Sequence, residues 1–358
     1  MKTAIHQLVA GYSNGDAISN EARAWRAVFR SWGYASEIYC ETKRILPELR
    51  KDTRDLAALR ADVRPEDIAI LHLSIGSEAN RIFPALNSRK VIIYHNITPP
   101  EFFRGYQEEI AQNLRRGRAE MAALAGVARI NLADSRFNAD ELAAAGYENP
   151  RVLPLLLDRT NWKGPVDRRV VDQYRDGYLN LLFVGRCAPN KRIEDLLFAL
   201  YYCQRYVQRN TRLIHVGSAA GLERYQALLR TKAKELKVEN FIMAGSVRGD
   251  ELRGYYQAAD AFLCLSEHEG FCIPLLEAMG HDVPVLAFDA GAVAETMGGA
   301  GVLFKAKHFD VIAETIQRVT AQKALRDGIV LGQRERLAQY EQQNIPEQMK
   351  AALAPLLA

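Results

Sequence analysis

Short apolar runs alternate with longer amphipathic stretches through most of the chain. Residues 4–10 form one such run, closed by Gly11-Tyr12-Ser13-Asn14-Gly15-Asp16. Residues 19–32 then repeat apolar side chains at helical spacing, with Ala22, Trp25, Val28, Phe29 and Trp32 on one face. Gly33-Tyr34 stops that helix, and residues 35–40 read as a second strand. Further strands are predicted at 68–73, at 90–95 and at 127–133, the first two with a histidine at or near their ends. Helical patterns fall between them, 108–125 being the longest. Strands alternating with helices predict a parallel, doubly wound sheet.

The stretch 158–177 is polar, with Gly164-Pro165 and a charge-rich helical piece, and reads as a linker. After it the alternation restarts. Strands are predicted at 179–185, 211–217, 241–245, 259–265, 283–288 and 301–304, with helices at 193–208, 222–236 and 249–258 between them. Two terminal helical stretches follow, 310–325 and about 329–357, the second interrupted near Pro346. The pattern therefore predicts an α/β chain of two doubly wound, Rossmann-like domains with a cleft between them. Their expected extents are 1–160 and 175–335, and the last helix, about 340–358, is expected to pack back on the first domain. Ligands in such sheets bind beyond the carboxyl ends of the strands.

Composition narrows the classes. The 358 residues suit two ordinary domains, and 48% hydrophobic with 25% charged residues is the balance of a globular protein with ample core. No run approaches the roughly 18 apolar residues of a membrane span. The first ten residues read as a strand rather than a leader. Five scattered cysteines, Cys40, Cys187, Cys203, Cys264 and Cys272, contain no Cys-x-x-Cys pair, which points to a reducing, cytoplasmic setting and away from disulfides or a zinc site. A net charge of +4 is too small to imply nucleic acid. Arg23, Arg26, Arg30, Arg104, Arg115, Arg116 and Arg118 tint the first half basic; they read as a solvated face and leave room for a peripheral membrane contact.

The chemistry concentrates in Ser266-Glu267-His268-Glu269-Gly270-Phe271-Cys272-Ile273-Pro274-Leu275-Leu276-Glu277-Ala278-Met279. A buried strand precedes it, and Pro274 fits the first position of a helix. Strand, glycine-bearing turn and helix start together make an anion site from uncapped N–H groups and the helix dipole. Glu269 on the turn and Glu277 in the first helical turn would repel a phosphate but accept hydrogen bonds from hydroxyls. A ligand carrying both is a nucleotide or nucleotide sugar. The plainer alternative is that Glu277 complements the helix dipole and Glu269 is a solvated loop charge. A second stretch, Phe183-Val184-Gly185-Arg186-Cys187-Ala188-Pro189-Asn190-Lys191-Arg192, ends a strand at a glycine and sets Arg186 and Lys191 around a proline turn. Two fixed cations there suit a diphosphate; an ordinary basic turn is the alternative.

Both stretches resemble the family 4 (group 1) glycosyltransferases: a glutamate, seven residues, then a second glutamate followed by Ala-Met, and upstream the diphosphate-binding arginine and lysine at Arg186 and Lys191. The resemblance continues through His215-Val216-Gly217-Ser218, where Gly217 lets backbone approach the phosphates. It takes in Ala244-Gly245-Ser246-Val247-Arg248, a loop whose Val247 and Arg248 meet the base, and Gly291-Ala292-Val293-Ala294-Glu295. Cys272, Ala294 and His281-Asp282 depart from residues common in the family, which leaves the shape of the sugar pocket open.

In the first half the resemblance is looser. Gly11 and Gly15 do not form a Gly-x-Gly-x-x-Gly dinucleotide motif; Gly15 resembles the loop that closes over the donor phosphates. Tyr94-His95-Asn96-Ile97-Thr98-Pro99-Pro100-Glu101-Phe102-Phe103 places His95 at a strand end, where the family has a histidine against the donor sugar; a satisfied core histidine is the alternative. His72 lies near another strand end.

The resemblance implies the two-domain GT-B architecture and a retaining enzyme moving a hexose from a nucleoside diphosphate sugar to a hydroxyl of a carbohydrate or lipid-linked acceptor. Glu269, His95, Arg186 and Lys191 would be catalytic. The turn Gly270, Phe271, Cys272 and Ile273 would lie against the donor, and Glu277 would hold the ribose. An epimerase or phosphorylase of the same fold, or a silent nucleotide-sugar-binding subunit, are the alternatives. No cofactor and no metal are expected, since no two aspartates stand two apart as the metal-binding Asp-x-Asp pair requires.

Overall fold

In a computed structural model that describes residues 3–157 and 162–357, the chain divides into two compact units. The first comprises residues 1–100, 109–158 and 343–358, the second 101–108 and 159–342.

The first unit is built on seven parallel strands: β1 (Ile5–Leu8), β2 (Ile38–Cys40), β3 (Arg54–Asp55), β4 (Ile68–Leu73), β5 (Arg89–Tyr94), β6 (Ile130–Ala133) and β7 (Arg151–Val152). Their order is β3-β2-β1-β4-β5-β6-β7. β1 and β4 are buried along their whole length because helices cover both faces of a parallel sheet, hence their near-continuous apolar runs. Asp16 caps the helix Ala17–Ser31 by accepting from the Ser19 N–H at 2.8 Å. That helix buries Ala22, Trp25 and Phe29, and with them a carboxylate, Glu21. β3 and β7 are two-residue edge strands without a periodic signal. The last helix, Ile345–Leu357, belongs to this unit. It buries Met349, Leu353 and Leu356, and Arg89 and Arg151 donate to its Leu356 and Ala352 carbonyls.

The second unit carries six parallel strands: β8 (Leu179–Val184), β9 (Thr211–Val216), β10 (Phe241–Gly245), β11 (Ala261–Cys264), β12 (Val285–Phe288) and β13 (Val302–Phe304). The order β10-β9-β8-β11-β12-β13 means that the chain winds outward from β8 in one direction, then crosses back to lay β11 on the other side of β8. The loops after β8 and β11 therefore flank the topological switch point, the usual ligand position in an open α/β sheet. The predicted helix at 193–208 ends at Tyr202 and passes into a π-helical turn, Cys203–Val207. The terminal helices run Phe309–Ala321, Lys323–Gln342 and Ile345–Leu357, so the break precedes Pro346. Of the predicted linker, residues 168–173 are helical and 158–161 lie outside the described residues.

Candidate active site

The carboxyl edge of the second sheet is a row of loops laced by main-chain bonds. The Gly217 N–H donates to Gly245 O, Cys187 N–H to Ser218 O, Glu267 N–H to Asn190 O and Ala292 N–H to Glu269 O, all between 2.8 and 2.9 Å. Asn190 adds a side-chain bond to the His268 carbonyl. Two glycines permit this closeness. A Cβ on Gly217 would run into the Gly185 carbonyl, and one on Gly291, at φ +58°, into the carbonyl of Glu269.

Within this edge Lys191 Nζ lies 2.6 Å from Glu269 Oε2. Burial works against the Lys191 ammonium, but the facing carboxylate outweighs it and raises the pKa. The Glu269 side chain is 6% exposed, so it is not the solvated loop charge of the plainer reading. Arg186 is exposed on the same loop as Lys191, its guanidinium 3.4 Å from Ala220 O.

The helix after the turn runs Ile273–Gly280, which puts Pro274 at its second position and Glu277 in its second turn rather than its first. Cys272 precedes it at φ +72°, ψ +64°, and no side chain caps the helix. The dipole's positive end and its uncapped first turn are thus left beside the Lys191–Glu269 pair. The left-handed backbone at Cys272 explains why a glycine is common there in the resembling family. The plain capping role for Glu277 also gives way: its Oε2 accepts from the Tyr256 hydroxyl at 2.8 Å, and burial raises its pKa, with the Tyr256 bond pulling the other way. Tyr256, 21 residues upstream, escaped sequence reasoning because it lies on the helical face that reads as core.

The remaining predicted residues of this unit lie on the loops after β9, β10 and β11. Gly217 ends β9. Val247 is half-buried after β10. Arg248, exposed, starts the helix Gly249–Ala258 and pairs with Asp250, Glu251 and Asp167. Gly270 is half-buried; Phe271 and Cys272 are buried; Ile273 is half-buried. Residues 101–108, though early in the chain, belong to this unit. Phe102 lies 6.2 Å from the His268 ring, and Tyr106 meets Tyr225 edge-on at 5.3 Å.

The carboxyl edge of the first sheet carries a different arrangement, a hydrogen-bonded line across four neighbouring strands. Gln7 on β1 donates through Nε2 to Ala22 O and presents Oε1 to His72 Nε2 at 2.9 Å. His72 Nδ1, on β4, lies 2.8 Å from His95 Nε2, just past β5. His95 Nδ1 faces Asp134 after β6 at 3.1 Å and Glu21 at 3.5 Å. The donors fix the tautomers. His72 Nε2–H must donate to Gln7, so its Nδ1 accepts from His95 Nε2–H, and His95 Nδ1–H donates to Asp134. Burial disfavours the His95 imidazolium, yet Asp134 and Glu21 together raise its pKa to about 9. Burial and the adjacent His95 hold His72 well below 6.5. Burial pushes Glu21 up to about 7, against the pull of His95. The His95 side chain is 2% exposed, and both its nitrogens are committed to protein partners. Sequence reasoning found the two histidines but not Gln7, Glu21 or Asp134. The available signal was a carboxylate at 21 inside the Ala22–Trp25–Phe29 stripe. Gly15, at φ +73°, sits in the exposed loop after β1.

Residues 169–343 match the family of glycosyl transferases group 1. The match takes in just under half of the chain. It contains every charged residue of the Lys191–Glu269 site. Among relatives, a GDP-mannose-dependent α-mannosyltransferase of Mycolicibacterium smegmatis is 34% identical over 32% of this chain and 27% of its own length. A lipopolysaccharide 1,2-N-acetylglucosaminetransferase of Salmonella typhimurium is 32% identical over 40% of this chain and 39% of its own. The matches thus span less than half of these relatives' length. In fold, the chain is similar to Anabaena HepE, solved with UDP and glucose (TM-score 0.75, 16% identity, 99% of this chain and 100% of that one). It is similar also to sucrose-phosphate synthase of Thermosynechococcus elongatus (TM-score 0.77, 17% identity, 99% of both chains). The two parallel sheets and these neighbours establish the GT-B fold. Among the described residues no helix is long and apolar enough to cross a membrane.

Proposed function

We propose that the chain transfers a hexose from a nucleoside diphosphate sugar to a hydroxyl acceptor in glycoconjugate synthesis, with retention of anomeric configuration and without a metal. The observation that carries this reading is the Lys191–Glu269 pair at the switch point, beside the uncapped start of the helix Ile273–Gly280. In the reaction, an acceptor oxygen replaces the diphosphate oxygen on the anomeric carbon, and the hydroxyl proton leaves with the diphosphate. Negative charge grows on the leaving group. Arg186, Lys191 and the helix dipole offset it with positive charge that is already in place, and such preorganised electrostatics is commonly worth several kcal/mol. Glu269 keeps one oxygen on Lys191 and turns the other to sugar hydroxyls. Glu277, pinned by Tyr256, accepts from the ribose. Val247 and Arg248 lie against the base, and Gly217 and Gly270 to Ile273 against the phosphates. His95 is a fixed buried cation of the first unit, with both nitrogens on protein partners.

The acceptor is a carbohydrate or a lipid-linked carbohydrate. The lipopolysaccharide N-acetylglucosaminetransferase among the relatives supports this class. Five free, buried cysteines fit a cytoplasmic setting, with the basic first half available to an anionic membrane surface. The test is nucleoside diphosphate release from a panel of GDP- and UDP-sugars, with and without a hydroxyl acceptor. Release stimulated by acceptor is expected with one donor. Tight donor binding with no release under any combination would replace this reading by that of a silent binding subunit.

A further inference from the structure

The Lys191–Glu269 pair has two thiols for neighbours. Cys264 is the last residue of β11, and Cys272 is the left-handed residue ahead of the next helix. Both are buried and free, and one ligand atom from each of Cys264, Cys272 and Glu269 lies within 4.8 Å of the other two. Cys264 Sγ also lies 3.4 Å from Ser266 Oγ. We propose that Cys264, Cys272 and Glu269 form a binding site for a thiophilic divalent cation, zinc above all, which locks the donor loop.

Three features carry the assignment. The donor set, two sulfurs and a carboxylate oxygen, is that of a zinc site with one position left open, and tetrahedral coordination at roughly 2.0–2.3 Å needs only small side-chain movements from the spacing present. The ligands come from rigid positions, a strand end and a helix start, with Glu269 already oriented by Lys191. The charge also balances. Binding proceeds as M²⁺ plus two thiols giving a dithiolate complex and two protons released to solvent, so the cation's two charges replace two thiol protons. Lys191 retains Glu269 Oε2 while the other oxygen turns to the cation, and the buried cluster carries no more net charge than before.

A cation held here takes the Glu269 oxygen that would otherwise meet the sugar. That consequence, inhibition of transfer, rests on the proposed donor site; the binding itself does not. The deciding measurement is therefore made without turnover, by titrating the reduced full-length protein with cobalt(II). Thiolate-to-cobalt charge-transfer absorption and tetrahedral visible bands should grow to one equivalent, vanish on adding zinc, and be accompanied by release of two protons per cation. Cys264→Ser and Cys272→Gly should each weaken binding on the order of 10²-fold or more. The glycine variant suits the left-handed backbone, so it keeps the test open should Cys264→Ser fail to fold. Absence of the thiolate band in the unmutated protein, or its persistence in a folded single variant, would overturn the site. A cobalt-binding protein without donor turnover would instead fault the proposed function and leave the cation site standing.

Discussion

Lys191 Nζ and Glu269 Oε2 stand 2.6 Å apart although the residues are separated by 78 positions in the chain. The contact exists because β8 and β11 are neighbours, so their following loops meet at the switch point. A lysine ammonium is thereby held in place by a carboxylate with one oxygen to spare.

Lys191→Ala should lower turnover by on the order of 10²-fold. It should also destabilise the second unit by about 3 kcal/mol, because it leaves a buried carboxylate without its partner. The double variant Lys191→Met, Glu269→Gln should regain much of the stability and none of the activity. Denaturant unfolding and steady-state kinetics separate the two effects. Full turnover in Lys191→Ala would remove the diphosphate assignment.

Glu277→Gln should weaken nucleoside diphosphate binding, since an amide cannot accept from two ribose hydroxyls as a carboxylate does. Tyr256→Phe, which only releases Glu277 from its pin, should weaken it less. Glu269→Gln should impair sugar transfer more than binding of the free nucleotide. Calorimetry on the three variants orders them, and loss of nucleotide binding in Glu269→Gln alone would mean that the two glutamates have exchanged roles.

Activity should survive exhaustive EDTA at saturating donor, because Arg186, Lys191 and the helix start already supply the positive charge near the diphosphate. If thiophilic cations occupy the thiol pair, chelation should raise activity rather than reduce it. Loss in EDTA, restored by Mg²⁺ or Mn²⁺, would contradict this account of the site.

Above about pH 7 the first unit should lose stability as pH rises, whereas below about pH 6.5 the depressed His72 acts with the opposite sign. His95, with a folded pKa of about 9 against 6.5, contributes stabilisation that is complete below pH 6.5 and is lost as pH climbs through about 9. Glu21, raised to about 7 from 4.5, has the same sign: its contribution is complete below pH 4.5 and is lost through about 7. NMR of labelled imidazoles should find His95 charged at pH 8 and His72 neutral at pH 6. A His95 midpoint near 6.5 would show that Asp134 and Glu21 do not hold the charge.

Cys272→Val should cost about 2 kcal/mol or more, because a β-branched side chain is forced to φ +72°. Cys272→Gly should leave thermal stability near that of the unmutated protein. Equal melting temperatures for the two variants would mean that the left-handed backbone at this position relaxes freely.

The alternation of buried strands and amphipathic helices was legible in the sequence because periodicity is local. Ile68–Leu73 and Phe241–Gly245 announce themselves by six and five consecutive residues, and the fold class follows from their succession. The two motifs were legible for the same reason, each lying on one strand end and the turn after it. What the tertiary structure alone decided are the pairings. Strand order makes Lys191 the partner of Glu269, and packing hands Glu277 to Tyr256. Four neighbouring strands align Gln7, His72, His95 and Asp134 into one hydrogen-bonded line, and burial then sets which histidine carries the charge. These outcomes depend on residues tens of positions apart sharing a low-dielectric site, where a charge survives only beside its partner. No window of the sequence contains both members of such a pair.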